Sequence, residues 1–372
     1  MLISDLPTPQ VLIDHRRLLA NIERVQKLAS GRGVRLRPHS KTHKSPIIAR
    51  WQIERGAVGI CCAKVGEAEV MAAAGIADIR LAYPINPSNA PRLLALMKHA
   101  TVSIVVDHAA VARGWSDAMH GANRTLDVLV KVDVGFHRCG IDPDAPDTLD
   151  FIRSVASMPG LRLRGLLSHA GQSYQASSAD ELSTIARHEV ELLATLQNRV
   201  AHAGIPLDEI SVGATPTLRY SLEQQGITEL RPGNYVYFDR TQVALGAASL
   251  DDCALTVLAT VVSKPAAGRL ILDCGSKTLT NDQARGIREA AGYGAVLTAD
   301  GFAEDPALTI ERLSEEHATV RVAGGTRLEP GDRVRVLPNH ACVVADMVDE
   351  VLLVDGERVI DKLPVAARGR IA

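Results

Sequence analysis

The stretch Val34-Arg35-Leu36-Arg37-Pro38-His39-Ser40-Lys41-Thr42-His43-Lys44 is the point from which this chain becomes readable. Its first residues alternate as in a short strand, and Ser45-Pro46 beyond it opens a helix in the cap-then-proline order. Between them stand two histidines, two lysines and an arginine, with no acid to neutralise them. Such a cluster repels itself unless an anion sits in it. Crowded cations also favour loss of an ammonium proton, and a neutral amine is the nucleophile that forms a Schiff base. A solvated basic loop accounts for the segment equally well. The deciding question is what stands at the ends of the other strands.

Strand-like apolar runs at 34–39, 57–63, 79–85, 102–107, 126–134, 163–169, 210–213 and 236–239 alternate with amphipathic stretches. Leu18, Leu19, Ile22, Val25, Leu28 and Ala29 share one helical face behind the cap candidate Asp14, and Gly56, Gly75 and Gly204 follow helix ends. Eight strands alternating with helices predict an α/β fold, a (β/α)8 TIM barrel in preference to an open doubly wound sheet. After about residue 245 the texture changes. Short β-branched runs at 257–263, 269–272, 318–322, 333–337 and 350–354 are separated by turns such as Gly324-Gly325 and Glu329-Pro330-Gly331-Asp332. They predict a second, mostly antiparallel β domain. The expected division is an N-terminal extension, 1–20, joining the β domain; a barrel, 21–245; and the β domain, 246–372.

Composition narrows the function classes. A net charge of −2 gives no reason to expect nucleic acid or an anionic membrane as partner, and 3% aromatics leave no stacking platform for single strands. No apolar run is long enough to span a bilayer, and Met1-Leu2-Ile3-Ser4-Asp5 has no signal-peptide pattern. A cytoplasmic protein is the expectation. Cysteines 61, 62, 139, 253, 274 and 342 form no CxxC pair, so reduced thiols are expected.

In barrels the chemistry sits at the C-terminal ends of the strands. After the first run come His39 and Lys41, and after the fifth comes Asp133-Val134-Gly135-Phe136-His137-Arg138-Cys139-Gly140. After the sixth comes Ser168-His169-Ala170-Gly171-Gln172-Ser173-Tyr174. After the seventh comes Gly213-Ala214-Thr215-Pro216-Thr217, whose small residues and hydroxyls suit a phosphate, and Arg231-Pro232-Gly233-Asn234-Tyr235 could close its other side. Each element alone is commonplace. Their shared rim points to a phosphate-bearing ligand.

At these residues the chain resembles a known family. Pro-His-Ser-Lys-Thr-His-Lys at 38–44, Val-Asp-Val-Gly-x-x-Arg-Cys-Gly at 132–140, Gly-x-Thr-Pro-Thr at 213–217 and Pro-Asn-His-Ala-Cys at 338–342 are similar to the D-threonine aldolase and D-serine dehydratase group. These are pyridoxal phosphate enzymes with the alanine-racemase-like fold. The resemblance implies that Lys41 carries pyridoxal 5'-phosphate as a Schiff base, with His39 among the supporting groups of the pocket. It implies Arg138 at the phenolic oxygen or ring face, His169 beside the ring and Tyr174 near the ring nitrogen or substrate. Gly213, Thr215, Gly233, Asn234 and Tyr235 would hold the phosphate. It also implies a homodimer in which each β domain covers the other barrel mouth.

His340 and Cys342 are spaced so that both can reach one metal, and two ligands leave room for water or substrate. The resemblance implies a divalent metal there, with Cys342 favouring Zn2+ over Mn2+ or Mg2+. The implied substrate is a D-3-hydroxy amino acid. Retro-aldol cleavage would give glycine and an aldehyde, with His169 or a metal-bound hydroxide as base. Loss of water would give a keto acid and ammonia, with Lys41 as base. Segments 65–69 and 81–84 resemble the aldolase branch and tip the expectation to D-threonine aldolase. His340 and Cys342 pull toward D-serine or D-threo-3-hydroxyaspartate dehydratase. A racemase lacks an identifiable second base, a phosphate-binding barrel isomerase would leave the β domain unexplained, and a non-catalytic pyridoxal phosphate carrier would resemble the barrel alone.

Overall fold

The computed structural model describes residues 1–284, 286–288, 290–298 and 303–372. Strand β1 (Gln10–Asp14) leads directly into the helix His15–Ser30, whose first turn is capped by Asp14 accepting from the backbone N–H of Arg17 at 2.9 Å. Eight parallel strands follow: β2 (Arg35–Leu36), β3 (Ile60–Cys62), β4 (Asp78–Pro84), β5 (Thr101–Val106), β6 (Leu126–Lys131), β7 (Leu161–Leu167), β8 (Glu209–Val212) and β9 (Glu229–Leu230). They pair in the order β2-β9-β8-β7-β6-β5-β4-β3. A parallel bridge between His39 and Cys61, with Cys61 N–H donating to Pro38 C=O at 2.7 Å, brings β3 back to β2 and closes the ring. The fold is the expected barrel.

One strand differs from its prediction. The eighth is Glu229–Leu230, whereas 236–239 follows a 3-10 turn, Asn234–Val236, and carries Phe238 at φ +48°. The apolar pattern there reflects buried Tyr235, Val236 and Tyr237, not strand pairing. The true strand is two residues long and contains a buried glutamate, so it shows no alternation.

The second layer contains β10 (Leu255–Ala266), β11 (Arg269–Leu272), β12 (Ala295–Val296), β13 (Leu308–Leu313), β14 (Ala318–Val322), β15 (Arg333–Leu337), β16 (Glu350–Asp355) and β17 (Arg358–Pro364). Its pairings are antiparallel except one: β1 enters between β10, antiparallel, and β16, parallel. The expected β domain is present. None of the described helices is long and apolar enough to cross a membrane.

The lower barrel interior is charged. Glu229 is fully buried and accepts from Arg37 Nε (2.8 Å), Arg80 Nη1 (2.5 Å) and Ser211 Oγ (2.5 Å). Arg37 also donates to Asp78 at 2.6 Å, and Arg80 to Glu209 at 2.7 Å. Burial alone would raise the Glu229 carboxyl, but Arg80 and Arg37 outweigh it and hold it at about 2. Buried charges survive only when paired this fully. Glu229→Leu should therefore cost about 3–5 kcal/mol, because two arginines lose a buried partner. A urea midpoint at pH 7 equal to wild type would contradict this. The contribution of Glu229 should be complete above its ordinary pKa of 4.5 and lost as pH falls toward 2.

Candidate active site

The loop after β2 is built so that alternate residues face opposite ways. Ser40 is buried and donates to Cys61 C=O (2.9 Å) and Glu67 Oε1 (2.5 Å), while His43, also buried, accepts from Ser45 N–H at 3.1 Å and so starts the next helix. Between and beside them His39, Lys41 and Lys44 face a cavity of about 570 Å3 at the strand ends. A neighbouring turn presents Arg138. Asp133 Oδ1 accepts from the N–H groups of Gly135, Phe136 and His137 at 3.0–3.1 Å, and the Arg138 guanidinium lies 5.0 Å from the Phe136 ring. Gly140 closes that turn at φ +116°, where a Cβ would fall 2.5 Å from Asp133 N.

His169 Nδ1 donates to Gly213 C=O at 2.6 Å, which leaves Nε2 as the free acceptor. Burial, then Lys41 and Lys131, push its pKa well down, so it is neutral; His39 is lowered in the same way, by burial and then Lys41. Beside these histidines lies the candidate phosphate cradle. A Cβ on Gly213 would come 2.8 Å from Arg231 N, and one on Gly233 would crowd Thr42 Oγ1 and His39. Thr215 Oγ1 and Asn234 Oδ1 are buried with no hydrogen-bond partner. The Thr215 hydroxyl, which can donate, suits an oxyanion ligand beside these glycines, whereas Asn234 Oδ1 only accepts and its Nδ2 is taken by Asp239 and Cys342, so Asn234 can offer a phosphate only its backbone N–H. Lys41, Lys44, Lys64, Lys131, Arg138 and Arg231 line the cavity against one carboxylate, Asp346. That imbalance selects anions.

The β domain contributes the remaining wall. His340 stands immediately before the short helix Ala341–Asp346 without capping it, and Cys342 Sγ lies 3.2 Å from Thr42 Oγ1 and 3.5 Å from Asn234 Nδ2. Burial would lower His340, but Cys342, Asp239 and Asp282 raise it to about 10; burial would raise Cys342, but His340 lowers it. No group of three or more His, Cys, Asp or Glu side chains able to hold a metal occurs among the described residues. An imidazole and a thiol with a lowered pKa fit an open, soft-metal site that water or substrate completes.

Of the residues singled out from sequence, His39, Lys41, Arg138, His169, Tyr174, Gly213, Thr215, Gly233, Asn234, His340 and Cys342 all line this cavity. The Tyr235 side chain does not. It is wholly buried, and its hydroxyl accepts from Gln52 Nε2 at 3.0 Å, so it cannot reach a phosphate. Two of the cavity's cations, Lys131 and Arg231, are set deep in the barrel. Lys131 ends β6 and is lowered to about 7, chiefly by burial and then by Arg231. Arg231, read above only as part of the phosphate loop, points to the barrel floor, where it donates to Ser211 Oγ (2.5 Å) and Ser168 C=O. A lysine closing an apolar run was the available signal for the first.

The chain matches the family "Alanine racemase, N-terminal domain" over residues 13–241 and the family "Putative serine dehydratase domain" over 254–354. It is 34% identical over 347 residues to a D-threo-3-hydroxyaspartate dehydratase of Delftia sp. (strain HT23), covering 91% of each chain. It is 33% identical over 374 residues to a D-threonine aldolase of Arthrobacter sp, covering 99% of this chain and 94% of that one. Among solved structures, a cysteine-to-alanine mutant of a D-threo-3-hydroxyaspartate dehydratase in its metal-free form superposes with TM-score 0.92 at 32% identity, covering 98% of both chains.

The thiol chemistry of the site is directly testable. Cys61, Cys62, Cys253 and Cys274 are buried, and burial raises all four. Brief iodoacetamide treatment of the metal-free protein at pH 7 should alkylate Cys342 ahead of every other cysteine, read by peptide mass spectrometry. Faster labelling of Cys139 would show that the His340 pairing does not activate the thiol.

Proposed function

The chain belongs to the D-serine dehydratase and D-threonine aldolase group of alanine racemase-like lyases, and from that premise we propose that it is a pyridoxal phosphate- and divalent-metal-dependent dehydratase of D-3-hydroxy amino acids. One observation carries this reading: Thr42, the residue after Lys41, touches Cys342 at 3.2 Å, so the amine and the metal-type pair border one cavity and can act on one substrate. The segments that favoured cleavage weigh less once placed. Of residues 65–69 and 81–84 only Ala82 lines the cavity, and Glu67 is buried under Ser40. The similarity to a dehydratase known with a cysteine mutant and a metal-free form supports the same choice.

Lys41 would hold the cofactor, Thr215, Gly213, Gly233 and Asn234 its phosphate, and Arg138 its oxygenated edge. Bound there, pyridoxal phosphate supplies an electron sink for negative charge at Cα. His340 and Cys342 would hold the divalent ion, a Lewis acid for an oxygen on Cβ. The Lys41 amine would act as the base that removes the proton from Cα. Loss of the Cα proton and of the Cβ hydroxyl, which would leave as water once protonated, would give an enamine that tautomerises to an imine, and hydrolysis of that imine would yield a keto acid and ammonia. Arg231, fixed by Ser211 and Ser168, holds the floor of the cavity positive throughout. A second reading, aldol cleavage, is favoured by neutral His169, whose free Nε2 could take the β-hydroxyl proton so that Cα–Cβ breaks. A carrier role gives no use for the β domain's contact with Thr42.

With D-threo-3-hydroxyaspartate and D-serine the protein should release keto acid and ammonia, and prolonged chelation should stop it. Glycine and aldehyde from D-threonine, without ammonia, would replace the dehydratase with the aldolase. Lys41→Ala should abolish the visible band formed with pyridoxal phosphate and lower turnover about 10³-fold or more. Absence of any such band in the wild type would remove the cofactor assignment. Thr215→Val should weaken pyridoxal phosphate binding about 10-fold, the loss expected for one bond to a charged group, measured by fluorescence titration of the apoprotein.

A further inference from the structure

His340 sits on a backbone held from both sides. Asn339 C=O accepts from Thr241 Oγ1 at 2.7 Å, and Ala341 N–H donates to Asp239 Oδ2 at 3.0 Å. Rotation of the imidazole is the freedom that remains. That freedom is taken by Asp282, 58 residues away in sequence, whose Oδ2 accepts from His340 Nδ1 at 2.6 Å. Asp282 is itself anchored. Its N–H donates to Thr280 Oγ1 at 2.8 Å, and its C=O accepts from Asn339 Nδ2 at 3.0 Å, the same amide that donates to Gly292 C=O at 2.9 Å. The loop and the His340 turn are thus tied twice, once through backbone and once through the imidazole.

Stability does not explain the second tie. The His340 and Asp282 side chains are 41% and 52% exposed, and ion pairs so placed contribute little to folding. A carboxylate on the second nitrogen of an imidazole instead fixes its tautomer and orientation toward a metal. Resting on the metal reading above, we infer that Asp282 is a positioning residue: it holds Nδ1–H and turns Nε2 of His340, alone of the ring nitrogens, toward a divalent cation shared with Cys342.

The test uses the full-length protein carrying pyridoxal phosphate, stripped of metal, and measures Zn2+ affinity by competition with a chromophoric chelator. Thermal melting of the metal-free forms runs alongside. Wild type should take up one Zn2+ and Cys342→Ala none; equal uptake by both would sink the metal reading itself. With that control satisfied, Asp282→Asn should weaken Zn2+ binding about 10–100-fold while the metal-free melting temperature stays unchanged. Asp282→Glu should recover part of the affinity. Affinity of Asp282→Asn within twofold of wild type would overturn the inference. So would loss as complete as in Cys342→Ala, which would make Asp282 a ligand. A fall in metal-free melting temperature that matched the loss of affinity would make it a structural residue and equally overturn the inference.

Discussion

Glu229 is a carboxylate sealed inside a barrel, and the geometry of the site depends on its being satisfied. Its two oxygens take Arg37 from the loop after β2, Arg80 from β4 and Ser211 from β8. An unpaired charge there would be intolerable, so two strands and a loop are held at distances of 2.5–2.8 Å from one group on a third strand. Barrel interiors are commonly filled by branched aliphatic layers. Here aliphatic packing survives as a small separate cluster, Val105, Leu129 and Leu167, while charge occupies the lower interior. Ser211 links this network upward, because its hydroxyl also receives Arg231, and Arg231 forms the cavity floor.

Above that floor the labour is divided between two layers. The barrel supplies an amine, a neutral histidine, an arginine on a turn and a cradle of small residues. The β domain supplies an imidazole and a thiol with a lowered pKa. Contacts that join them beside the site include Thr42 to Cys342, Asn234 to Cys342, Asp239 to Ala341 N–H and Thr241 to Asn339 C=O. Asp239 is fully buried, and burial pushes its pKa up, yet it also accepts from Asn234 at 2.6 Å. One carboxylate thereby couples a phosphate-cradle residue to the backbone beside the metal-type pair. A shift of either layer would be felt at both chemistries.

The short loops read well because their residue types are tied to local geometry. Proline suits the first position of a helix because it gives up an N–H that would be unsatisfied there, and Pro46 behind Ser45 opens the helix Pro46–Glu54. Glycines that admit close backbone approach, such as Gly213, are needed whatever lies across from them. The 236–239 run misled because burial of Tyr235 and Tyr237 against the core imitates a strand's apolar pattern. The family resemblance implies Tyr235 at the phosphate, and only the bond of its hydroxyl to Gln52 reveals that the side chain faces the other way.

From sequence alone came the alternation that makes a barrel, the change of texture that makes a β domain, and the residue types at the strand ends. These are local properties, set by periodicity and by what each side chain can donate, accept or deprotonate. Tertiary structure decided which of those residues meet. Thr42 and Cys342 lie 300 positions apart and touch; His340 and Asp282 lie 58 apart and share a proton. It also decided the charge state of buried groups. The lowering of His169, His39 and Lys131 comes first from desolvation, which no window of neighbouring residues contains; for His169 and Lys131 the cations that add to it, Lys41 and Arg231, stand on other segments, whereas for His39 the neighbouring Lys41 was legible in the sequence.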